Sequence, residues 1–306
     1  MLATGDQYLI QRDGALGRVE AVIAQLAAGI RSLSVGGVDL VQRYPDAGIA
    51  PSAAGIVLVP WPNRIAGATW TLEGERQALD VTEPSTGNAS HGLLRNTGYS
   101  VTDRSDHAIT LSATVFPQHG YPFLLNTSVR YELDDEGLVV THGIVNAGEG
   151  RAPVAIGSHP YLRAGATPVD DLTLTIAAET RFHVDERNIP THTGPVAGTE
   201  MDLSGGRRVG DLSLDVAYTG IDPIEGAFRH RLSAPDGVVT ELWAGEDFAY
   251  VQAFTKADFT GPDGTELAVA VEPMTAPANA FNTGEGLQWL EPGDEWITSW
   301  GIRRLS

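Results

Sequence analysis

Leu267-Ala268-Val269-Ala270-Val271-Glu272-Pro273-Met274-Thr275 is an apolar run that stops at one carboxylate, with a proline immediately behind it. An apolar run of this length, bounded by a turn signal, reads as a buried strand. A carboxylate at the end of such a strand sits in poor solvent. Desolvation raises its pKa and makes it a stronger proton acceptor. The alternative is a solvated glutamate at a strand terminus, so the rest of the chain has to decide between the two.

The surrounding pattern is one of strands. Leu172-Thr173-Leu174-Thr175-Ile176 alternates with period two, as does Thr127-Ser128-Val129-Arg130-Tyr131-Glu132-Leu133. Leu138 to Thr141 and Trp296 to Ile302 are further β-branched or aromatic stretches. Between them lie turns with a mechanism, such as Pro235-Asp236-Gly237 and Pro262-Asp263-Gly264: proline presets φ and glycine accepts a positive one. The Ala-rich segment from Val19 to Leu33 has helical propensity. Gly29 interrupts it and Ser34 to Val41 reads as a hairpin, so strand is the expectation there. Asp185 to Asp211 is polar and rich in glycine and proline, and reads as a long excursion from one domain spanning residues 1–306.

Composition limits function. The 306 residues include 35 glycines, well above the average share, which suits a turn-rich all-β chain. Thirty-nine acids against 20 bases give a net charge of −19, which argues against nucleic acid and against anionic membrane. Cysteine is absent, so neither disulfides nor thiolate chemistry is available. The first residues carry no signal-peptide pattern, and no apolar stretch reaches the ~18 residues of a membrane span. The expectation is a soluble, cytoplasmic protein, a monomer or weak homodimer.

Several polar residues sit where the pattern is apolar. His159 follows Val154-Ala155-Ile156-Gly157-Ser158 and precedes Pro160, which biases it to an extended backbone and projects its imidazole from a strand end. His91 is followed by Gly92, which permits close approach of a backbone or ligand. Arg64 lies in Pro60-Trp61-Pro62-Asn63-Arg64-Ile65; a near-buried arginine holds a carboxylate or a ligand's oxygens. Asp215 in Leu214-Asp215-Val216 and Gln252 in Val251-Gln252-Ala253 each need a partner if buried. His107, His119, His142, His183, His192 and His230 lie in polar or mixed surroundings and receive no role. No zinc-binding His pair, phosphate-binding glycine loop or serine elbow occurs, so neither metal nor cofactor is expected.

In order, Asn63-Arg64-Ile65, His91-Gly92, His159-Pro160-Tyr161, Leu214-Asp215, Val251 to Thr255 and Val271-Glu272-Pro273 resemble the aldose 1-epimerase (galactose mutarotase) family, from about Val19 to Ile302. The pattern is closer to its divergent bacterial branch. The resemblance implies an all-β, mostly antiparallel galactose-mutarotase-type β-supersandwich with an open sugar-binding cleft. It implies Glu272 as general base, His159 as general acid and His91 as a second active-site histidine. Arg64, Asp215 and Gln252 would hold sugar hydroxyls. The implied reaction interconverts the α and β anomers of a hexopyranose by ring opening and reclosure. An epimerase for a phosphorylated or sulfonated hexose, and a non-catalytic sugar-binding protein on the same scaffold, are the alternatives. Trp61 is a candidate to stack on the sugar ring, although core burial is the commoner fate of tryptophan.

Overall fold

The computed structural model describes residues 2–305. Its strands form three main sheets, two large and a four-stranded N-terminal one, with three two-stranded ribbons beside them. The sheet that positions the site runs in the order Pro190–Pro195, Ala178–Val184, Asp215–Ile221, Tyr250–Gly261, Gly264–Met274, Gly157–Ser158 and Val57–Leu58, and Tyr161–Leu162 also pairs with Gly264–Met274. A nine-stranded sheet includes Leu125–Leu133, Gly137–Asn146, Glu295–Leu305 and Val239–Gly245. All of these ladders are antiparallel. One apolar cluster joins the three sheets, with Ile10 and Ile23, Val129 and Leu242, and Val269 and Val271 all fully buried.

The burial patterns follow from each strand's place. Leu125, Thr127, Val129, Tyr131 and Leu133 are buried while the residues between them are not, because only one face of that sheet meets the core. Ala268 to Met274 is buried at every position. This strand lies mid-sheet, with Tyr250–Gly261 on one side and Gly157–Ser158 on the other. An unbroken apolar run is what such a position selects. The strand continues through Pro273 to Met274, so Glu272 lies within the ladder and opposite Gln252.

Val19 to Leu33 is not helical despite its alanine content: it lies in the strands Gly17–Ala24 and Ile30–Val35, joined by a turn in which Ala27 and Ala28 take positive φ. Asp185 to Asp211 departs from the expected excursion: it contributes the edge strands Pro190–Pro195 and Leu203–Arg208. Both bury few side chains, so backbone bonds rather than an apolar pattern hold them, and no periodicity announces them. His142 and His230 also differ from expectation: both are buried in the core, where His142 accepts from Trp300 Nε1 at 3.0 Å. Among the described residues no helix is long and apolar enough to cross a membrane. None carries a cluster of three or more His, Cys, Asp or Glu able to hold a metal ion.

Candidate functional site

All six residues singled out from the sequence converge on one open cleft with a volume of about 220 Å³. Asn63, Glu83, Arg95 and Phe254 share its lining. Glu272 comes from the central buried strand and is 2% exposed. Its Oε1 is 3.4 Å from Nε2 of His159, which is 5% exposed. His159 leaves its strand just after Ser158, and its backbone N–H donates to Ile56 O at 3.1 Å. Tyr161 stacks on its ring at a centroid distance of 5.2 Å, and His91 meets it edge-on at 5.5 Å. The imidazole is therefore walled on two sides.

His91 and Gly92 are consecutive left-handed residues, at φ 64° and 73°. A Cβ on Gly92 would fall 2.0 Å from Val59 O, so only glycine lets these backbones approach. His91 N donates to Asn63 O at 2.8 Å, tying the turn to the segment that carries Arg64. That segment is held in turn by Asn279, whose N–H donates to Arg64 O at 2.6 Å and whose Oδ1 accepts from Ala66 N at 3.1 Å.

The floor of the cleft is one hydrogen-bonded chain. Asn63 Nδ2 donates to Gln252 Oε1 at 3.2 Å, and Gln252 Nε2 donates to Asp215 Oδ1 at 2.5 Å. Arg64 makes a two-pronged pair with Glu83, Nε to Oε2 at 2.8 Å and Nη2 to Oε1 at 3.1 Å. Its Nη2 is also 3.6 Å from Asp215 Oδ2. Asp215 is a third exposed and faces the cleft rather than the core. Trp61 does not line the cleft: it is 2% exposed and packs edge-on against Phe281. Phe254 is the aromatic that lines the cleft.

Burial sets the proton affinities of the central pair. It pushes the Glu272 carboxyl well above its ordinary range; the charge of Asp215 acts the same way and Arg64 opposes it. Burial lowers His159 to about 4, with the cations Arg95 and Arg64 adding to the effect. His91 is lowered well below the usual imidazole value, by burial first and by His159 and Arg95 next. Burial also opposes ionisation of Glu83, but hydrogen bonds from Arg64 and Thr86 outweigh it and hold that carboxyl below its ordinary value. Glu272 Oε2, His159 Nδ1, His91 Nδ1 and Ser158 Oγ are buried with no hydrogen-bond partner. Such orphans are rare in a folded protein and suit a site built to receive a polar ligand.

Glu83 and Asn63 carried no signal of their own that marks them from the sequence as part of the site. Glu83 sits in the turn Glu83-Pro84-Ser85-Thr86-Gly87, whose polarity looks like that of any surface loop. Asn63 was visible only as the neighbour of Arg64.

An antiparallel all-β sandwich with a buried carboxyl beside an imidazole at the wall of an open polar cleft has the architecture of the mutarotase-like isomerases. The solved aldose epimerase homologue from C. elegans superposes with a TM-score of 0.84 over 98% of this chain and 99% of its own, at 17% identity. Galactose 1-epimerase from Lactobacillus acidophilus superposes at 0.78 over 100% and 96%, at 18% identity. Residues 8–302 match the profile of the aldose 1-epimerase family, and the chain belongs to that family of isomerases. Its function is therefore of the mutarotase type. An uncharacterized Escherichia coli (strain K12) protein, YihR, is 31% identical over 281 residues, covering 91% of this chain and 88% of its own. Human galactose mutarotase is 32% identical over 178 residues, 55% of this chain and 50% of its own.

Proposed function

We propose that the chain works as a single domain that interconverts the α and β anomers of a free hexopyranose, with Glu272 and His159 as the proton-transfer pair. The observation that carries this reading is their 3.4 Å approach inside a buried pair whose other polar atoms are unpartnered. Mutarotation requires one proton to leave the C1 hydroxyl and another to reach the ring oxygen. The C1–O5 bond breaks, C1–C2 rotates in the open aldehyde, and O5 re-adds to the other face of the carbonyl. One base and one acid do this, and they exchange protons on reclosure, so the residues supply the chemistry without a cofactor.

The opposed shifts fit that requirement. With the carboxyl raised and the imidazole lowered, the pair carries one dissociable proton between pH about 4 and the higher value of Glu272. The ion pair, with glutamate as base and imidazolium as acid, has the same proton count as the neutral pair. Sugar hydroxyls entering the cleft hydrogen-bond to the carboxylate and favour the ionised form. His91 then faces the reacting end of the sugar, while Arg64, Asp215 and Gln252 fix its hydroxyls and reduce the entropy lost at the barrier.

A second reading, an anionic hexose bearing a phosphate or sulfonate, draws support from Arg95. This guanidinium lines the cleft, donates to Ser90 O at 3.2 Å, and has no ion pair among the described residues. Polarimetry on freshly dissolved α-glucose and α-galactose, run beside a phosphorylated and a sulfonated hexose, tests both readings. Accelerated equilibration of the neutral sugars supports the first, and acceleration of the anionic sugars alone supports the second. Binding without acceleration of any sugar leaves only a non-catalytic sugar-binding protein.

A further inference from the structure

We infer that Arg187 and Asn188, at the tip of the hairpin between Ala178–Val184 and Pro190–Pro195, are positioning residues that set the Arg64–Asp215 arm of the cleft. The inference rests on the mutarotase reading for its assay. Neither residue lines the cleft, and both fall in the segment that reads from sequence as a featureless excursion.

The tip is rigid by construction. Asp185 Oδ1 accepts from Arg187 N and Ile189 N, both at 2.9 Å, and Asp185 O accepts from Asn188 N at 3.0 Å. Asn188 takes a left-handed φ of 59°, a conformation that asparagine tolerates better than most residues. That turns its side chain to the site, where Nδ2 donates to Asp215 Oδ2 at 3.3 Å. Asp215 is thereby held on both oxygens, by Gln252 on one and by Asn188 with Arg64 on the other.

Arg187 acts on the opposite wall. Its Nε donates to Thr86 O at 2.7 Å, and its Nη2 donates to Gly87 O at 3.1 Å and to Asn88 Oδ1 at 3.2 Å. Asn88, fully buried, returns a bond from Nδ2 to Arg187 O at 2.8 Å. The turn so clasped carries Glu83, whose backbone carbonyl accepts from Thr86, Gly87 and Asn88 and whose carboxylate grips Arg64. Arg187 has no carboxylate partner among the described residues; its Nε and Nη2 are both given to this turn. One hairpin tip thus fixes both partners of the sugar-binding arm, Asp215 directly and Arg64 through Glu83.

The test is steady-state kinetics on the full chain. Asn188→Ala raises KM about fivefold, in line with the net worth of one lost hydrogen bond, and leaves kcat within about twofold. Arg187→Ala raises KM about tenfold, and Arg187→Lys does not rescue it, because a single ammonium cannot replace a fork across three acceptors. Asn188→Asp separates positioning from a loss of fold. Its KM penalty at pH about 7 shrinks as pH falls to about 5, because the new carboxyl takes up a proton and donates again. An unchanged KM in both alanine variants overturns the inference while leaving the mutarotase reading intact. So does a KM effect that tracks thermal stability and shows no pH rescue. If the wild-type chain turns over no sugar, the mutarotase reading fails instead. The same variants are then compared for sugar affinity by NMR titration, and equal affinities overturn the inference.

Discussion

Acidifying the enzyme from pH 7 to 5.5 should not reduce kcat/KM. The expectation follows from the burial of His159, which lowers its proton affinity to about 4 from an ordinary 6.5. That shift corresponds to about 3 kcal/mol between its two protonation states. On the proposed mechanism the active form of the Glu272–His159 pair in the free enzyme holds one proton, and it is lost at low pH when a second proton binds. At pH 5.5 a histidine with a pKa of about 4 is only about 3% protonated, so about 97% of the pair stays active. A histidine of ordinary affinity would be about 90% protonated, and kcat/KM would fall about eightfold relative to pH 7. Polarimetric progress curves at both pH values decide the matter, with the buffer-catalysed background subtracted and circular dichroism confirming the fold. A fall of fivefold or more (about 1 kcal/mol) would show that His159 is not desolvated as the structure has it, or that it is not part of the reacting pair.

Three further outcomes follow from the same geometry. Glu272→Gln should be more thermostable than wild type at pH 7: the unfolded chain gives up the glutamate proton near 4.5 while the fold retains it, so wild-type stability falls as pH rises between 4.5 and the raised native value. Differential scanning calorimetry should show that gap closing as pH falls towards 4.5, and a less stable variant at pH 7 contradicts the buried, protonated carboxyl. Gly92→Ala forces a left-handed alanine against Val59 O and should cost at least 1–2 kcal/mol in denaturant unfolding, with activity lost through displacement of His91; wild-type stability would mean the turn has slack. Arg64→Ala removes the clamp on Glu83 and the cation beside Asp215, and should raise KM for the sugar with a smaller effect on kcat; a selective loss of kcat would place Arg64 in the chemistry instead.

The parts of this molecule that were legible in sequence are those where burial leaves a pattern. Ala268 to Met274 is apolar because it lies mid-sheet, and Glu272 stands out because nothing else there is charged. His159, His91 and Arg64 are legible for the same reason, as polar residues among apolar or glycine neighbours. Edge strands follow another rule. Pro190–Pro195 buries almost nothing, so its register is set by backbone bonds that composition does not record. Glu83 and Asn188 are invisible for a related reason: each belongs to a polar turn, and what distinguishes it is a partner 19 or 27 residues away in sequence. Trp61 illustrates the converse, since a ring beside a site residue is here a core residue shared with Phe281.

The carboxyl that ends the apolar run is the group on which the proposed chemistry depends. The most direct measurement is the anomerisation rate of a substrate sugar, followed by polarimetry or exchange NMR, for Glu272→Gln against wild type. Loss of a positioned proton-transfer group should slow the reaction by about 10²–10⁴-fold while sugar binding remains measurable. A variant that equilibrates anomers at the wild-type rate would contradict the claim that Glu272 and His159 share the proton transfer.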